Sequence, residues 1–460
     1  MSEAPKLPDG TLIAFYGDDF TGSSAVMEIT AFAGLPTVLF LNPPKPEHLA
    51  QFAGYRVIGI AGIARSQSVE WMDRNLPPVF KLMRSLNAPI AHYKVCSTFD
   101  SAPHVGSIGC ASDIGAPILG GNWQPVIVGD PGMRRYQAFG YLFAVANGVG
   151  YPLHEHPVMA RHPVTPMHDA NLCRHLGKQT AKKIGLVDFV VMKEATGTDR
   201  LREQLRSGAE IVFLDVLDRE TLIEAGQLVW NNRGERIFGI GSQGFEAALV
   251  AYWKSAGLLA AEHRQFQAAP APRIACVSGS VSPITAAQIA FAIENGFAPI
   301  PLDATRAVDE WAWQNELAIA AERALEALGE GRDPLVYTAA GPDDPGVKAL
   351  QNAITTAGVS SERVNTRIGA GLGYVLGRVL RQARLTRAVI SGGDTSGHAA
   401  STLGVYALTA VAPVAPGSPL CRAHTDDTEL AGLEIALKGG QVGRPDFFCA
   451  VKRGGVGCSS

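Results

Sequence analysis

The sequence of 460 residues contains no run of 18 apolar residues, the length a membrane-crossing helix needs. The first ten residues, Met1 to Gly10, lack the apolar core of a secretory signal. Seven cysteines are scattered without a Cys-x-x-Cys pair, which argues against both a disulfide framework and a zinc site. A net charge of −3 leaves no electrostatic footprint for nucleic acid. The phosphate-loop pattern Gly-x4-Gly-Lys-Ser/Thr is absent, as is the Gly-x-Ser-x-Gly elbow of the simplest hydrolases. Gly369-Ala370-Gly371-Leu372-Gly373 approaches a dinucleotide turn, but it follows no clear strand and lacks the next glycine at the required spacing. These absences describe a soluble, cytoplasmic protein with no membrane or nucleic-acid partner.

What is present is material for a large core. Hydrophobic residues make up 47% and charged residues 18%, so disorder is not expected. The length suits two or three domains, and 50 glycines suit the tight strand–helix turns of α/β proteins. The organising stretch is Tyr16-Gly17-Asp18-Asp19-Phe20-Thr21-Gly22. An apolar run, Leu12 to Phe15, reads as a buried strand before it, and Ser23 to Ala33 reads as a helix after it. Two adjacent carboxylates then sit where a strand ends, the edge at which parallel sheets bind ligands. One of them can cap the helix. Two together repel each other unless a cation, a donor or a substrate hydroxyl shares the site.

The pattern repeats. Tyr55–Gly62, Pro89–Val95 and Gln124–Pro131 read as strands whose ends deliver Arg65, then Lys94 with Ser97, Thr98, Asp100 and Ser101, then Arg134-Arg135-Tyr136. Further strands are expected at Asp188–Met192, Glu210–Asp215 and Arg236–Gly241. Tyr151–Met167 is too proline-rich for a helix or central strand and is expected to be a long structured loop. Its His154, His156 and His162 lack metal spacing, so packing and hydrogen bonding are the expected roles, and no metal ligands are assigned. Glu262–Pro272 reads as a linker, so the boundary falls between an N-terminal domain, 1–265, and a C-terminal domain, 266–460.

In the second half, Arg273–Val277 leads into Ser278-Gly279-Ser280-Val281-Ser282-Pro283, and Arg387–Ile390 leads into Ser391-Gly392-Gly393-Asp394-Thr395-Ser396-Gly397. Each is a strand, a loop of small residues and a helix, an arrangement that offers backbone N–H groups to a phosphate. Leu437–Gly443 adds a third glycine-rich turn. In the first half, Arg65 has the fork geometry that suits a carboxylate. With Lys94 it sets two cations against two carboxylates, an anion site with a base beside it.

Taken in order, Asp18-Asp19-Phe20-Thr21-Gly22, Lys94 with Ser97-Thr98, Ser278-Gly279-Ser280, Gly392-Gly393-Asp394-Thr395-Ser396 and Lys438-Gly439-Gly440 resemble the four-carbon acid sugar kinase family over nearly the whole chain. The resemblance implies an α/β fold of two domains, each a mainly parallel sheet flanked by helices, with the active site in the cleft between them. It implies an N-terminal acid-sugar-binding domain, a C-terminal nucleotide-binding domain, and phosphorylation of the terminal hydroxyl of threonate, erythronate or a related acid by ATP with Mg2+. Carried over residue by residue, Asp18, Arg65, Lys94, Ser97 and Thr98 face the acid. Ser278, Ser280, Gly392, Gly393, Asp394, Thr395 and Gly440 face ATP. Asp19, one residue further beyond the strand, is the expected base, with Asp18 the other candidate and the expected partner of Thr21, the helix start or a metal-bound water. The Lys94–Ser101 segment departs from the Lys-Thr-Asp-Ser-Thr pattern of common members, and Arg161–Met167 is similar to the 3-oxo-isoapionate kinase branch, so the acid is left open, as is a homodimer. A sugar-acid or nucleotide sensor and a sugar-acid phosphate phosphatase are the alternatives. The first would need a DNA-binding element, and the second a DxD spacing that Asp18-Asp19 does not have.

Overall fold

The computed structural model describes residues 6–146, 148–162, 164–260 and 266–455, with the backbone alone at residue 394. Residues 262–265 of the expected linker, with residue 261 before it, and the side chain of Asp394 lie outside what is described. The chain divides into two compact units, Met1–Arg264 and Gln265–Ser460. Among the described residues no helix is long and apolar enough to cross a membrane.

In the first unit the strands are β1 (Ile13–Gly17), β2 (Thr37–Phe40), β3 (Val57–Ala61), β4 (Ile90–Lys94), β5 (Gln124–Ile127), β6 (Arg135–Ala138), β7 (Tyr141–Ala146), β8 (Val149–Pro152), β9 (Ile184–Val187), β10 (Ile211–Leu214) and β11 (Ile237–Gly241). The main sheet runs β2-β3-β1-β4-β11-β5-β10-β9, and its pairs are parallel. Strands β1, β3 and β4 are buried along their whole length, which explains continuous apolar runs rather than alternation. The register sets Ala61, Gly17, Lys94 and Gly241 in one row. Asp18, Arg65, Cys96 and Ser242 therefore emerge beyond one edge of the sheet.

A small antiparallel sheet, β6-β7-β8, branches from that edge. It is fastened at several places, among them Gln137 and Val216, whose backbones are joined by hydrogen bonds of 2.8 and 3.1 Å. Asp130 and Arg135 exchange backbone hydrogen bonds of 2.9 and 3.0 Å. The fully buried Asp215 carboxylate accepts from the Phe139 N–H (2.5 Å), the Gly140 N–H (3.0 Å), Gln137 Nε2 (3.2 Å) and the Phe189 N–H (3.3 Å).

The second unit has β12 (Ala275–Ser278), β13 (Phe297–Pro301), β14 (Asp333–Tyr337), β15 (Arg387–Ser391), β16 (Val405–Ala415), β17 (Ser418–Thr425) and β18 (Glu434–Lys438). Its sheet runs β13-β14-β12-β15-β18-β17-β16, parallel through β18 and antiparallel beyond it. Both units are thus α/β with mainly parallel sheets, as expected from the sequence.

One local expectation is corrected, and two features go beyond the sequence reading. Asp188–Met192 is not a strand: the Asp188 carboxylate accepts from the N–H groups of Val190 and Val191 and starts the helix Phe189–Lys193, while β9 lies just before it. Tyr151–Met167 begins in an edge strand, β8, and includes a short 3-10 turn, Met159–Arg161. The antiparallel elements β6–β8, β16 and β17 were not foreseen, because short or small-residue strands carry little periodicity. Gly369–Gly373 lies inside the helix Ser361–Ala383. A Cβ on Gly371 would stand 2.6 Å from Trp313 Nε1, and one on Gly373 2.8 Å from Ala399 Cα, so these glycines serve close helix packing.

Replacing Asp215 by Ala leaves four donors without their acceptor. The expected result is a loss of about 3 kcal/mol or more in denaturant unfolding, with faster hydrogen exchange at the Phe139 and Gly140 amides. Parent-like exchange at those amides would show that the small sheet is held by other contacts.

Candidate active site

At the end of β1 the chain turns into the helix Phe20–Phe32, and Asp19 is its cap. One Asp19 oxygen accepts from the Gly22 N–H at 3.0 Å, and the other from Thr21 Oγ1 at 3.1 Å. The sequence expectation gave Thr21 and the helix start to Asp18. That assignment is corrected, because the Asp18 carboxylate points to Arg65, which donates to it from Nη2 (2.6 Å) and Nε (3.2 Å). The same Nη2 also reaches Asp19 at 2.7 Å. One guanidinium therefore bridges the two carboxylates.

Their environments differ. The Asp18 side chain is 2% exposed and that of Asp19 24%. Burial, reinforced by the Asp19 charge and opposed by Arg65, raises the Asp18 pKa to about 6. Burial also opposes the charge on Arg65, but Asp18, Cys96, Asp19 and Asp100 more than offset it and hold that pKa above its usual value.

Lys94 ends β4 and is 1% exposed, more enclosed than a side chain aimed at solvent would be. Its Nζ donates to Val95 O at 2.5 Å and lies beneath the helix start, where a Cβ on Gly22 would come within 2.6 Å of it. Its charge favours ionised Asp18. Beyond Lys94, Cys96 Sγ lies 2.9 Å from Thr98 Oγ1, which donates to Asp100 at 2.7 Å. Ser97 sits half-buried in the turn. Phe99, in the left-handed region at φ 54°, buries its ring against Phe213 and lets the backbone reverse there. Asp18, Asp19, Arg65 and Lys94 are thus brought together. Asp100, absent from the sequence-derived site, is close enough to act on both Arg65 and Cys96.

In the second unit, Ser278, Ser391 and Lys438 share one row of the sheet. The three loops beyond them are in contact. A Cβ on Gly440 would stand 2.7 Å from Ser280 Oγ, and one on Gly392 2.8 Å from Thr395 Oγ1 and 3.4 Å from the Ser280 nitrogen. Gly392, at φ 129°, takes a conformation that a side chain would strain. The helix that follows Ser282, Pro283–Glu294, is capped by that serine. The helix Gly393–Thr402 has no side-chain cap, and the space over Gly393 is open, so its first N–H groups suit an anion. Ser278, Ser280, Gly392, Gly393, the backbone of Asp394, Thr395 and Gly440 accordingly belong to one cluster.

Lys438 completes this cluster and was not assigned from sequence, although its motif was noted. It is 1% exposed and donates to Thr285 Oγ1 (3.0 Å) and Gly439 O (3.1 Å). Burial lowers its pKa to about 8. The three histidines of the proline-rich segment form no metal site: His156 and His162 accept backbone N–H groups at Nδ1, and His154 lies 3.5 Å from Glu155. Among the described residues no group of three or more His, Cys, Asp or Glu is arranged to hold a metal.

Residues 13–249 match the model of a sugar-binding N-terminal domain, and residues 275–448 that of a nucleotide-binding C-terminal domain. A 3-oxo-isoapionate kinase of Paraburkholderia graminis is 47% identical over 98% of this chain and 96% of its own. A 3-oxo-tetronate kinase of Burkholderia multivorans is 31% identical over 95% and 96%. A solved structure from Salmonella typhimurium LT2 shares the fold with a TM-score of 0.75 at 23% identity, covering 96% of this chain and 98% of that one. With a sugar-binding unit, a nucleotide-binding unit and kinase relatives along its full length, the chain belongs to the four-carbon acid sugar kinase family.

Proposed function

We propose that the protein transfers the γ-phosphoryl group of ATP to the terminal hydroxyl of a small sugar acid. The relative at 47% identity makes 3-oxo-isoapionate the first acid to test, ahead of the four-carbon acids. The observation that carries the reading is the carboxylate pair bridged by Arg65 at a strand end, in a chain whose other unit presents an uncapped helix start. Phosphoryl transfer asks the protein for placed phosphates, balanced charge and an oriented hydroxyl, and for little covalent chemistry.

In this reading the first unit holds the acid and the second holds ATP. Asp19 is the base because its carboxylate reaches solvent while Asp18 is enclosed. Asp18 fixes Arg65, and Lys94 adds positive charge near the Asp18 carboxylate. The N–H groups from Gly393 onward, with Ser280 and Gly440 as walls and Lys438 beneath, receive the phosphates. Mg2+ would be held with the nucleotide through one or two protein oxygens, a need that the described residues can meet without a three-residue acidic cluster. The hydroxyls of Ser280 and Thr395 are the described oxygens that would hold it, and the ion would supply charge neutralisation.

ADP release should depend on both ATP and the sugar acid. Phosphate release from a sugar-acid phosphate without ATP would support a phosphatase instead. Asn caps helices as well as Asp does, so Asp19→Asn isolates the charge. This variant is expected to keep its melting temperature and ligand binding while kcat falls about 10²- to 10⁴-fold. Asp18→Asn is expected to show the larger loss of melting temperature, because its amide NH2 would meet the Arg65 N–H donors in a buried site. A near-normal kcat for Asp19→Asn with an inactive, folded Asp18→Asn would reverse the two roles.

The raised Asp18 value also fixes a pH dependence. The folded chain holds that proton more tightly than the unfolded chain, whose aspartates titrate near pH 4. Asp18's contribution to stability is therefore complete below about pH 4 and is lost as pH rises through about 6. The stability of the parent relative to Asp18→Asn should fall over that window in denaturant titrations. A constant difference would mean that Asp18 stays ionised throughout.

A further inference from the structure

The bridged carboxylate pair leaves open how the substrate's own carboxylate is held. Arg65 spends its Nε and Nη2 on Asp18 and Asp19, and Lys94 is enclosed beneath the helix start with its charge beside Asp18. An anionic substrate needs a cation that is not already paired.

Arg135 meets that need. It begins β6, and its backbone pairs with Asp130 just beyond β5, so it stands over the same sheet edge as Asp18 and Arg65. Its Nε is buried and has no hydrogen-bond partner among the described residues. Nη1 makes only contacts of 3.3 Å to the carbonyls of Met133 and Arg134. Asp130, whose charge acts on Arg135, is taken up by the Gly132 N–H (3.0 Å) and Gln243 Nε2 (2.9 Å), and it forms no ion pair with Arg135. Burial accordingly lowers the Arg135 pKa, and neither Cys96 nor Asp130 restores it.

Cys96, just beyond β4, is close enough to Arg65, Asp19 and Arg135 to interact electrostatically with all three, so Arg135 stands in the neighbourhood of the base. Burial and the nearby Arg135 charge both disfavour protonation of His156, so the proline-rich segment that carries it lies near Arg135. A small molecule with a hydroxyl at one end and a carboxylate at the other matches this layout. We propose that Arg135 receives the carboxylate of the sugar acid and so sets the enzyme's preference for acids over neutral polyols. The inference rests on the sugar-acid reading above.

The test compares the parent with Arg135→Gln and Arg135→Lys, using 3-oxo-isoapionate and erythronate as acids and erythritol as a neutral counterpart. For Arg135→Gln the KM for the acid should rise about 10- to 100-fold, with kcat and the KM for ATP nearly unchanged, and Arg135→Lys should fall between. The preference for acid over erythritol should collapse. An unchanged KM for the acid in folded Arg135→Gln overturns the proposal, as does an equal loss for acid and erythritol, which marks a structural role. If the parent consumes no ATP with either acid, the kinase reading fails on its own. The melting-temperature shift caused by the acid then decides the matter: its loss in Arg135→Gln supports the carboxylate contact, and an undiminished shift refutes it.

Discussion

The Arg65 guanidinium donates to Asp18 and Asp19 together, and this bridge is what lets two adjacent carboxylates persist at one strand end. Without it, like charges a residue apart would repel, and the enclosed one would take up a proton. With it, one carboxylate is buried and the other remains reachable. The bridge also fixes the loop geometry. The Asp18 N–H donates to Lys94 O at 2.9 Å and the Arg65 N–H donates to Asp18 O at 3.0 Å, so three strand ends are tied at the point where the side chains meet.

The two units solve opposite electrostatic problems with the same architecture. In the first, a parallel sheet gathers acids and cations at its edge and partly cancels their charges. In the second, the sheet edge is lined by small residues and hydroxyls, with Lys438 as an enclosed cation whose hydrogen-bond acceptors are neutral. That cation is costly to bury, and burial alone lowers its pKa to about 8. The arrangement suits a polyanion such as a nucleotide, whose phosphates would favour the charged lysine. Phosphoryl transfer needs both environments in one protein.

Much of this was legible in the sequence because it is written in short contiguous motifs. Asp18-Asp19 after an apolar strand, and Gly392-Gly393 before a helix, announce themselves by residue type and place. The partition of roles between Asp18 and Asp19 was not legible, since capping depends on side-chain direction that adjacent residues do not reveal. Arg135 and Asp100 were named only in passing, as Arg135 reaches the site through a small antiparallel sheet and Asp100 through a left-handed turn at Phe99. Asp188 misled because its apolar followers, Phe189-Val190-Val191-Met192, suit a strand until the carboxylate's capping bonds are known.

The central claim is that the carboxylate site receives a hydroxyl and the nucleotide's terminal phosphoryl group ends on it. Phosphorus NMR of the protein incubated with ATP and 3-oxo-isoapionate, or with erythronate, tests this most directly. The account predicts loss of the γ-phosphate signal and growth of a phosphomonoester signal coupled to the protons of the substrate's terminal carbon, in step with ADP. Growth of orthophosphate alone, or an unchanged spectrum with each acid, would contradict it.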